Sequence, residues 1–486
     1  MVQENNETNN DRIELLPYQR DFVLAVMRQP KPAHIILEYP LGLGKGAAIV
    51  ELIRLLYLQS PGEFRCLIVT ASPLRYQWAD RIRHVGVSTT LIDNSEYRRR
   101  LATQPVEKSV WASFLGAVVV SVDFIKRPAI YQEIQNSYWS LIFFDDFDTH
   151  FSSSQRGEVL QFLWKTSNAG LKIATTIEPG QPHWAYGTPQ VVQIRWTYKD
   201  LEDVGVNLHI PERTVYVLNY QLSPEEVKLH NLLYDYLNFL GQDSESTLIR
   251  SVLMRRWKSS PGSLDLSLQR RLLSLQDLLG SSPNKGVDLL SFEIEEEEEE
   301  LESLIPEEVI AYQFQDELAR IQDILAVLED ISVDSKLLTL NHLIDRFSAH
   351  TEGSTVIFTK FTETALYIKS ALERDGKASL VITGSMSYEE RIFSLEEYRN
   401  SAKILIATSA IADMRGHTSI SHVIHYDFST TTKAFQKRAR FAERLSSTRR
   451  TVHHYFLVTD ADSEQYELRR MIEKVVEIEQ IFRENQ

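Results

Sequence analysis

Four stretches in the first half of the chain decide its architecture. "RCLIVTAS" (Arg65–Ser72), "AVVVSVDF" (Ala117–Phe124), "SLIFFDDFD" (Ser140–Asp148) and "LKIATTI" (Leu171–Ile177) are continuously apolar rather than alternating. A strand with one wet face alternates, whereas a strand covered on both faces does not, and that is the pattern of a parallel sheet. Helical patterns such as "GAAIVELIRLLYLQ" and "PLRYQWADRIRHV" lie between the runs. Strand, helix, strand at this spacing specifies a doubly wound α/β domain. The pattern returns later in "STVIFTKF" (Ser354–Phe361), "ASLVITGS" (Ala378–Ser385), "KILIATSA" (Lys403–Ala410), "SHVIHYDF" (Ser421–Phe428) and "VHHYFLVT" (Val452–Thr459). There Ser387 and Glu390 form a capping box that opens the helix after the second of these runs.

Between the two α/β regions the character changes. Ser223 followed by Pro224, Glu225 and Glu226 is a strong helix start, and the chain from there to about Leu328 reads as helical. The expected organisation is an N-terminal lobe over 1–215, a helical insert over 216–330 with an acidic loop at 293–302, and a C-terminal lobe with a terminal amphipathic helix over 331–486. Nucleotide in such architectures sits outside the carboxyl ends of the strands.

The 486 residues are 43% hydrophobic, enough for conventional cores and against wholesale disorder. One cysteine, Cys66, excludes an internal disulfide and any cysteine-built zinc site, and its apolar setting reads as a buried, inert thiol. The polar N-terminus carries no signal region, and no apolar run reaches the length of a membrane span. The expectation is a soluble, cytoplasmic protein with no membrane partner. A formal net charge of −15 argues against coating nucleic acid by bulk charge. Much of that charge is local, in "FEIEEEEEELESLIPEE" with its unbroken run Glu295–Glu300, so a basic groove elsewhere is compatible with it.

"PLGLGKG" carries Gly42, Gly44 and Lys45 after the apolar run "HIIL" and before a helix. Backbone N–H groups of such a turn cradle phosphates, with Lys45 reaching the outer ones. The alternative is a glycine turn with a solvated lysine; the strand-to-helix context favours phosphate. "LIFFDDFD" ends a buried strand in Asp145 and Asp146, where such folds hold Mg²⁺ and a catalytic carboxylate. Two adjacent carboxylates repel unless a cation lies between them, which favours a metal over a cluster that merely caps backbone.

These stretches also occur in a telling order. "LLPYQRDFVLAV", "PLGLGKG", "LIVTASPLRYQW", "LIFFDDFD", "IATTIEP", "VIFTKFTETA" and "VIHYDF…QKRARFAER" resemble, in sequence, the motifs of superfamily 2 helicase-like ATPases. "LRYQW" looks like the Swi/Snf branch, and "LMRRWKSSPGSLDLSLQRRL" (Leu253–Leu272) before an acidic stretch resembles bacterial RapA-like members and helicase-like phage-defence subunits. The resemblance spans about Leu15 to Val458 and implies two RecA-like parallel-sheet lobes, ATP and Mg²⁺ as cofactors, and double-stranded DNA as partner. A protein partner, as a complex subunit or with RNA polymerase, belongs to the same implication. Carried over, Gln19 would contact adenine, and Gly42, Gly44, Lys45 and Gly46 the phosphates. Asp145 would hold the metal, and Asp146 would stand at the catalytic glutamate. Thr175 and Thr176 would couple the site to nucleic acid, and Gln436 with Arg440 would match the final motif.

The departures cluster at the chemistry. Gly46 lacks the hydroxyl that ligates Mg²⁺, and Asp146 is one methylene short, withdrawing its carboxylate by roughly 1.5 Å. Misplacement of about 1 Å can cost on the order of a hundredfold in rate. Asp148 replaces the family's histidine, and in "ATSAIADMRGH" the expected glycine is Met414 or has slipped to Gly416. In the last motif, aligning Gln436 and Arg440 puts Glu443 where a second arginine belongs; shifting by one recovers Arg444 and loses Gln436.

Arg255, Arg256 and Lys258 in "MRRWKSS", and the stretch Lys433–Arg450, are locally basic and read either as a phosphate-backbone surface or as solvated helix faces. Three functions stay open at this point. They are an ATP- and DNA-binding protein with weak or lost hydrolysis, an active DNA-dependent ATPase or translocase, and a non-catalytic scaffold on the same fold.

Overall fold

A computed structural model describes residues 13–40, 42–103, 109–147, 155–177, 179, 188, 190–205, 211–240, 244–280, 313–350, 353–400, 403–408, 411, 414, 419–428, 431–443, 450–459 and 462–483. The chain forms two compact units, Met1–Leu208 with Lys474–Gln486, and His209–Glu473. Each contains a wholly parallel sheet, and the architecture is two RecA-like lobes with a helical insert. No helix among the described residues is long and apolar enough to cross a membrane.

The first sheet comprises β1 (Ala33–Glu38), β2 (Arg65–Thr70), β3 (Thr89–Leu91), β4 (Gly116–Ser121), β5 (Tyr138–Phe144), β6 (Asn168–Thr176) and β7 (Val191–Arg195), in the order β3-β4-β2-β5-β6-β1-β7. Every residue of β4, and all but the first of β2 and β6, is buried. That is why their sequences are unbroken apolar runs. The edges β3 and β7 are short and only half-buried, so they carry no such signature. Trp111, Trp139 and Trp164 fill the core beside the sheet. Burying each aliphatic strand residue contributes about 1.5–3 kcal/mol, so the continuous runs are the main source of stability here. Cys66 on β2 lies in this core, where burial pushes its thiol pKa well up.

The second sheet comprises β8 (Glu212–Tyr220), β9 (Ser354–Phe358), β10 (Leu380–Ile382), β11 (Ile404–Ala407), β12 (Ile420–His425) and β13 (Thr451–Thr459), in the order β10-β11-β9-β12-β13-β8. β8 pairs along its whole length with β13, from Glu212 opposite Thr451 to Tyr220 opposite Thr459. The sequence-based boundary at 215/216 therefore falls inside a strand of this sheet. As a half-exposed edge, β8 lacks the apolar run that marks its neighbours. The helix Tyr388–Asn400 opens with the expected capping box: Glu390 N–H donates to Ser387 Oγ at 3.2 Å and Ser387 N–H to Glu390 Oε2 at 2.7 Å.

Between β8 and β9 stand the helices Pro224–Phe239, Ser244–Ser259, Pro261–Gly280 and Gln313–Glu329. They share a core of Leu229, Leu233, Tyr236, Leu253, Leu264 and Ile321. Ser223 caps the first of them, accepting from Glu226 N–H at 3.2 Å. The acidic loop 293–302 lies outside the described residues.

Candidate functional site

In the first sheet β2, β5, β6 and β1 are consecutive neighbours, and all run the same way. Their carboxyl ends therefore deliver Thr70, Asp145, Thr175 and the glycine loop to one place. The loop turns through Gly42 at φ 103° and Gly44 at φ 77°, a region that favours glycine. The helix Lys45–Gln59 starts at once with no side chain capping it, so its first N–H groups face the loop's concavity.

Gln19 covers that loop. Its Nε2 donates to Leu43 O at 2.8 Å and to the Tyr18 hydroxyl at 3.2 Å, while its Oε1 accepts from Leu16 N–H at 3.0 Å. A Cβ at Gly44 would lie 2.4 Å from that Nε2, so the amide fits only over glycine.

Lys45 Nζ lies 2.5 Å from Asp145 Oδ1 and 2.6 Å from Asp146 Oδ1. Burial works against the ammonium charge, but Asp145 and then Asp146 outweigh it and hold the lysine pKa above its ordinary value. Asp145 Oδ2 accepts from Thr70 Oγ1 at 2.8 Å and from the Trp78 indole N–H at 2.7 Å. Asp146 Oδ1 accepts from the Tyr39 hydroxyl at 2.6 Å, and the Tyr39 ring lies 4.9 Å from Lys45 Nζ. Asp146 has φ 47°, a conformation aspartate tolerates better than most residues, and its N–H donates to Thr175 Oγ1 at 2.9 Å. Thr176 takes part through its backbone, accepting from Tyr39 N–H at 3.0 Å.

The structure thus brings Lys45, Asp145, Asp146 and Thr175 together, with Gln19 bonded to the loop that precedes Lys45. Sequence reading missed Tyr39, Thr70 and Trp78. The usable signal was a polar residue closing an apolar strand, which Thr70 shares with Asp145 and Thr175.

Loop, lysine and helix start fit a polyphosphate, which would draw Lys45 Nζ off the carboxylates. The magnesium expected on Asp145 does not fit the same donors. Thr70 and Trp78 already occupy Asp145 Oδ2, leaving only Oδ1 once Lys45 is drawn off, and Gly46 supplies no hydroxyl. Mg²⁺ demands six oxygen ligands near octahedral geometry.

One of the nucleic-acid expectations needs correction. Arg256 is 1% exposed; its Nη1 donates to Glu363 Oε2 at 2.8 Å and its guanidinium lies over the Phe361 ring at 4.1 Å. It holds the insert against an internal carboxylate and reaches no phosphate backbone. Thr175 and Thr176, expected to couple the site to nucleic acid, are fully buried, Thr175 bonded to Asp146 and Thr176 to Tyr39. Arg255 donates to Ser251 Oγ at 2.7 Å, and the exposed Lys258 lies 3.3 Å from Glu464.

In the second unit Gln436 and Arg440 lie one turn apart on the helix Thr432–Ala442. Glu443 follows it and is turned inward. Both its oxygens take Arg213 of β8, each at 2.6 Å, and Oε1 also lies 2.9 Å from His454 Nε2. Burial alone would raise this carboxyl; Arg213 and His454 outweigh it and hold its pKa well below the usual range. In the register that keeps Gln436, the position of a second arginine is a buried anion. Arg444, Asp148 and Gly416 lie outside the described residues.

Paired parallel α/β lobes, with a glycine-loop lysine facing strand-end carboxylates, define the general class. Residues 335–444 match the family described as helicase conserved C-terminal domain. The chain is 25% identical over 167 residues to the "Uncharacterized ATP-dependent helicase YqhH" of Bacillus subtilis, covering 34% of this chain and 29% of that one. It is 36% identical over 86 residues to the "ATP-dependent RNA helicase dbp5" of Sclerotinia sclerotiorum, covering 18% of each. The matched stretches thus span less than a third of those relatives' lengths. Among solved structures, the Pyrococcus furiosus Hef helicase domain aligns over 93% of this chain and 97% of that one, at 14% identity and a TM-score of 0.47. The chain is thus similar over residues 335–444 to the helicase C-terminal domain, and over limited stretches to ATP-dependent helicases.

Proposed function

We propose that this is a Swi/Snf-type, RapA-like protein that binds ATP and double-stranded DNA and has weak or no ATP hydrolysis. The observation that carries the reading is Lys45, set behind a loop of positive-φ glycines and held ready by Asp145 and Asp146. Bound ATP supplies a phosphoanhydride whose binding or cleavage can bias the chain's conformation. Lys45 and the first turn of its helix hold the outer phosphates, and Gln19 holds the loop in shape. Tyr39 and Thr175 fix the Asp146 carboxylate, which is the water-orienting group. Its short reach, the bare Gly46 and the inward Glu443 all support slow or absent turnover. Calorimetry should detect ATP binding; no heat at millimolar ATP would leave the scaffold as the reading that stands.

The acidic segment gives a test of the DNA assignment. Phosphate contacts release counterions, so affinity falls as salt rises, and a tethered polyanion competes for a basic groove. Replacing Glu293–Glu302 with a neutral Gly/Ser linker should tighten duplex binding most at low salt, where screening is weakest. Fluorescence anisotropy across a salt series reads the effect. The control neutralises a similar number of acidic residues in the N-terminal tail and C-terminal helix. Equal tightening in both variants contradicts the competition, and no duplex binding at low salt contradicts the nucleic-acid assignment. A duplex RNA run in parallel decides whether DNA is the preferred partner.

A further inference from the structure

The space beside Gly46 is taken by an arginine. A Cβ built on Gly46 would lie 2.4 Å from Arg81 Nη1 and 3.4 Å from its Cζ. Arg81 belongs to the helix Arg75–His84, one turn beyond Trp78, whose indole N–H donates to Asp145. Its Cζ lies 5.9 Å from the Trp78 ring. The same helix that closes off one Asp145 oxygen therefore brings a permanent cation to the place where a phosphate-loop hydroxyl and its metal would stand.

We infer that Arg81 takes over the charge role of the divalent cation, so that this chain holds a nucleoside triphosphate without magnesium. The inference rests on the nucleotide reading above and names the ligand's form: the free triphosphate rather than its metal complex. Three observations converge on it. Asp145 Oδ2 is already held by Thr70 and Trp78, so a metal would have only Oδ1 there, which Lys45 contacts in this structure. Position 46 offers no oxygen ligand. Arg81 brings one positive charge to the loop beyond that of Lys45, which a phosphate loop carries whether or not a metal is bound. A guanidinium also presents a planar fork of donors that matches phosphate oxygens in pairs, which an ammonium does not.

Geometry makes residues 46 and 81 mutually exclusive. With Arg81 as it stands, a threonine at 46 has no room; with a threonine there, the guanidinium must move. Because the obstructing atoms are the far end of a flexible side chain, Gly46→Thr should displace Arg81 without disturbing the fold.

The test is calorimetric titration of the full chain with ATP, once with excess EDTA and once with magnesium. Wild type should bind with Kd values that agree within about twofold. Arg81→Ala should weaken binding in EDTA by on the order of tenfold or more, the loss expected for a charge-assisted hydrogen bond. Arg81→Lys should fall between the two, because charge remains and the fork is gone. Gly46→Thr should bind poorly in EDTA and recover with magnesium. Urea midpoints of the variants should match wild type, which separates a lost ligand contact from a lost fold. Wild-type binding that requires magnesium overturns the inference and leaves the nucleotide reading intact. EDTA-resistant binding that Arg81→Ala leaves unchanged overturns it equally. No binding in either condition overturns both.

Discussion

Glu443→Ala should lower the unfolding free energy of the second unit by about 3–5 kcal/mol, the scale for removing one member of a buried ion pair. The substitution leaves Arg213 inside the protein without its two 2.6 Å contacts and takes away the group that lies 2.9 Å from His454. Glu443→Arg, which would restore the family-like residue, should be worse still, since it sets a third basic side chain beside Arg213 and His454. Urea unfolding measures both. The effect is also pH-dependent in a defined direction. The folded carboxyl titrates below its ordinary value of about 4.3, so its contribution is complete above that pH. It is lost as pH falls toward the depressed folded value, and Glu443→Ala should lose less stability than wild type over that acid range. Equal stability of Glu443→Ala and wild type at neutral pH would mean that the buried pair is not a structural element.

Lys45→Ala should weaken ATP binding by roughly ten- to a hundredfold, the range for losing hydrogen bonds from a charged donor to phosphate. It should also leave Asp145 and Asp146 facing each other without the cation that lies between them. Calorimetric titration with ATP reads the Kd. An unchanged ATP affinity would remove Lys45 from the site.

Much of this architecture was legible because the central strands are buried on both faces and so write their burial directly into sequence. β2 lies within its expected run, and β4, β5 and β6 overlap theirs, starting one to three residues earlier. β8 did not declare itself, because an edge strand with several exposed residues resembles a loop approach, and its partner β13 lies far along the chain. The lysine and carboxylates of the site were readable because strand ends and the glycine turn fix them locally. Tyr39 was overlooked although it adjoins the glycine loop, because a tyrosine there reads as packing until its hydroxyl is placed. Trp78 and Arg81 were not readable, since the face a helix presents to a site depends on how it packs. Arg256 shows the opposite failure. Arginine beside tryptophan reads the same whether its partner is a phosphate or a buried carboxylate, and here the partner is Glu363. Glu443 was visible as a mismatch, but its meaning required Arg213, 230 positions away.

The central claim is that a nucleotide-binding site has been kept while its turnover has been lost or reduced. Phosphate release at saturating ATP, with and without duplex DNA and with ATP binding measured on the same preparation, tests it most directly. The account predicts bound ATP with release far below the roughly 1–10³ per second typical of enzymes, whether or not duplex is present. Duplex-stimulated release within that range would contradict it.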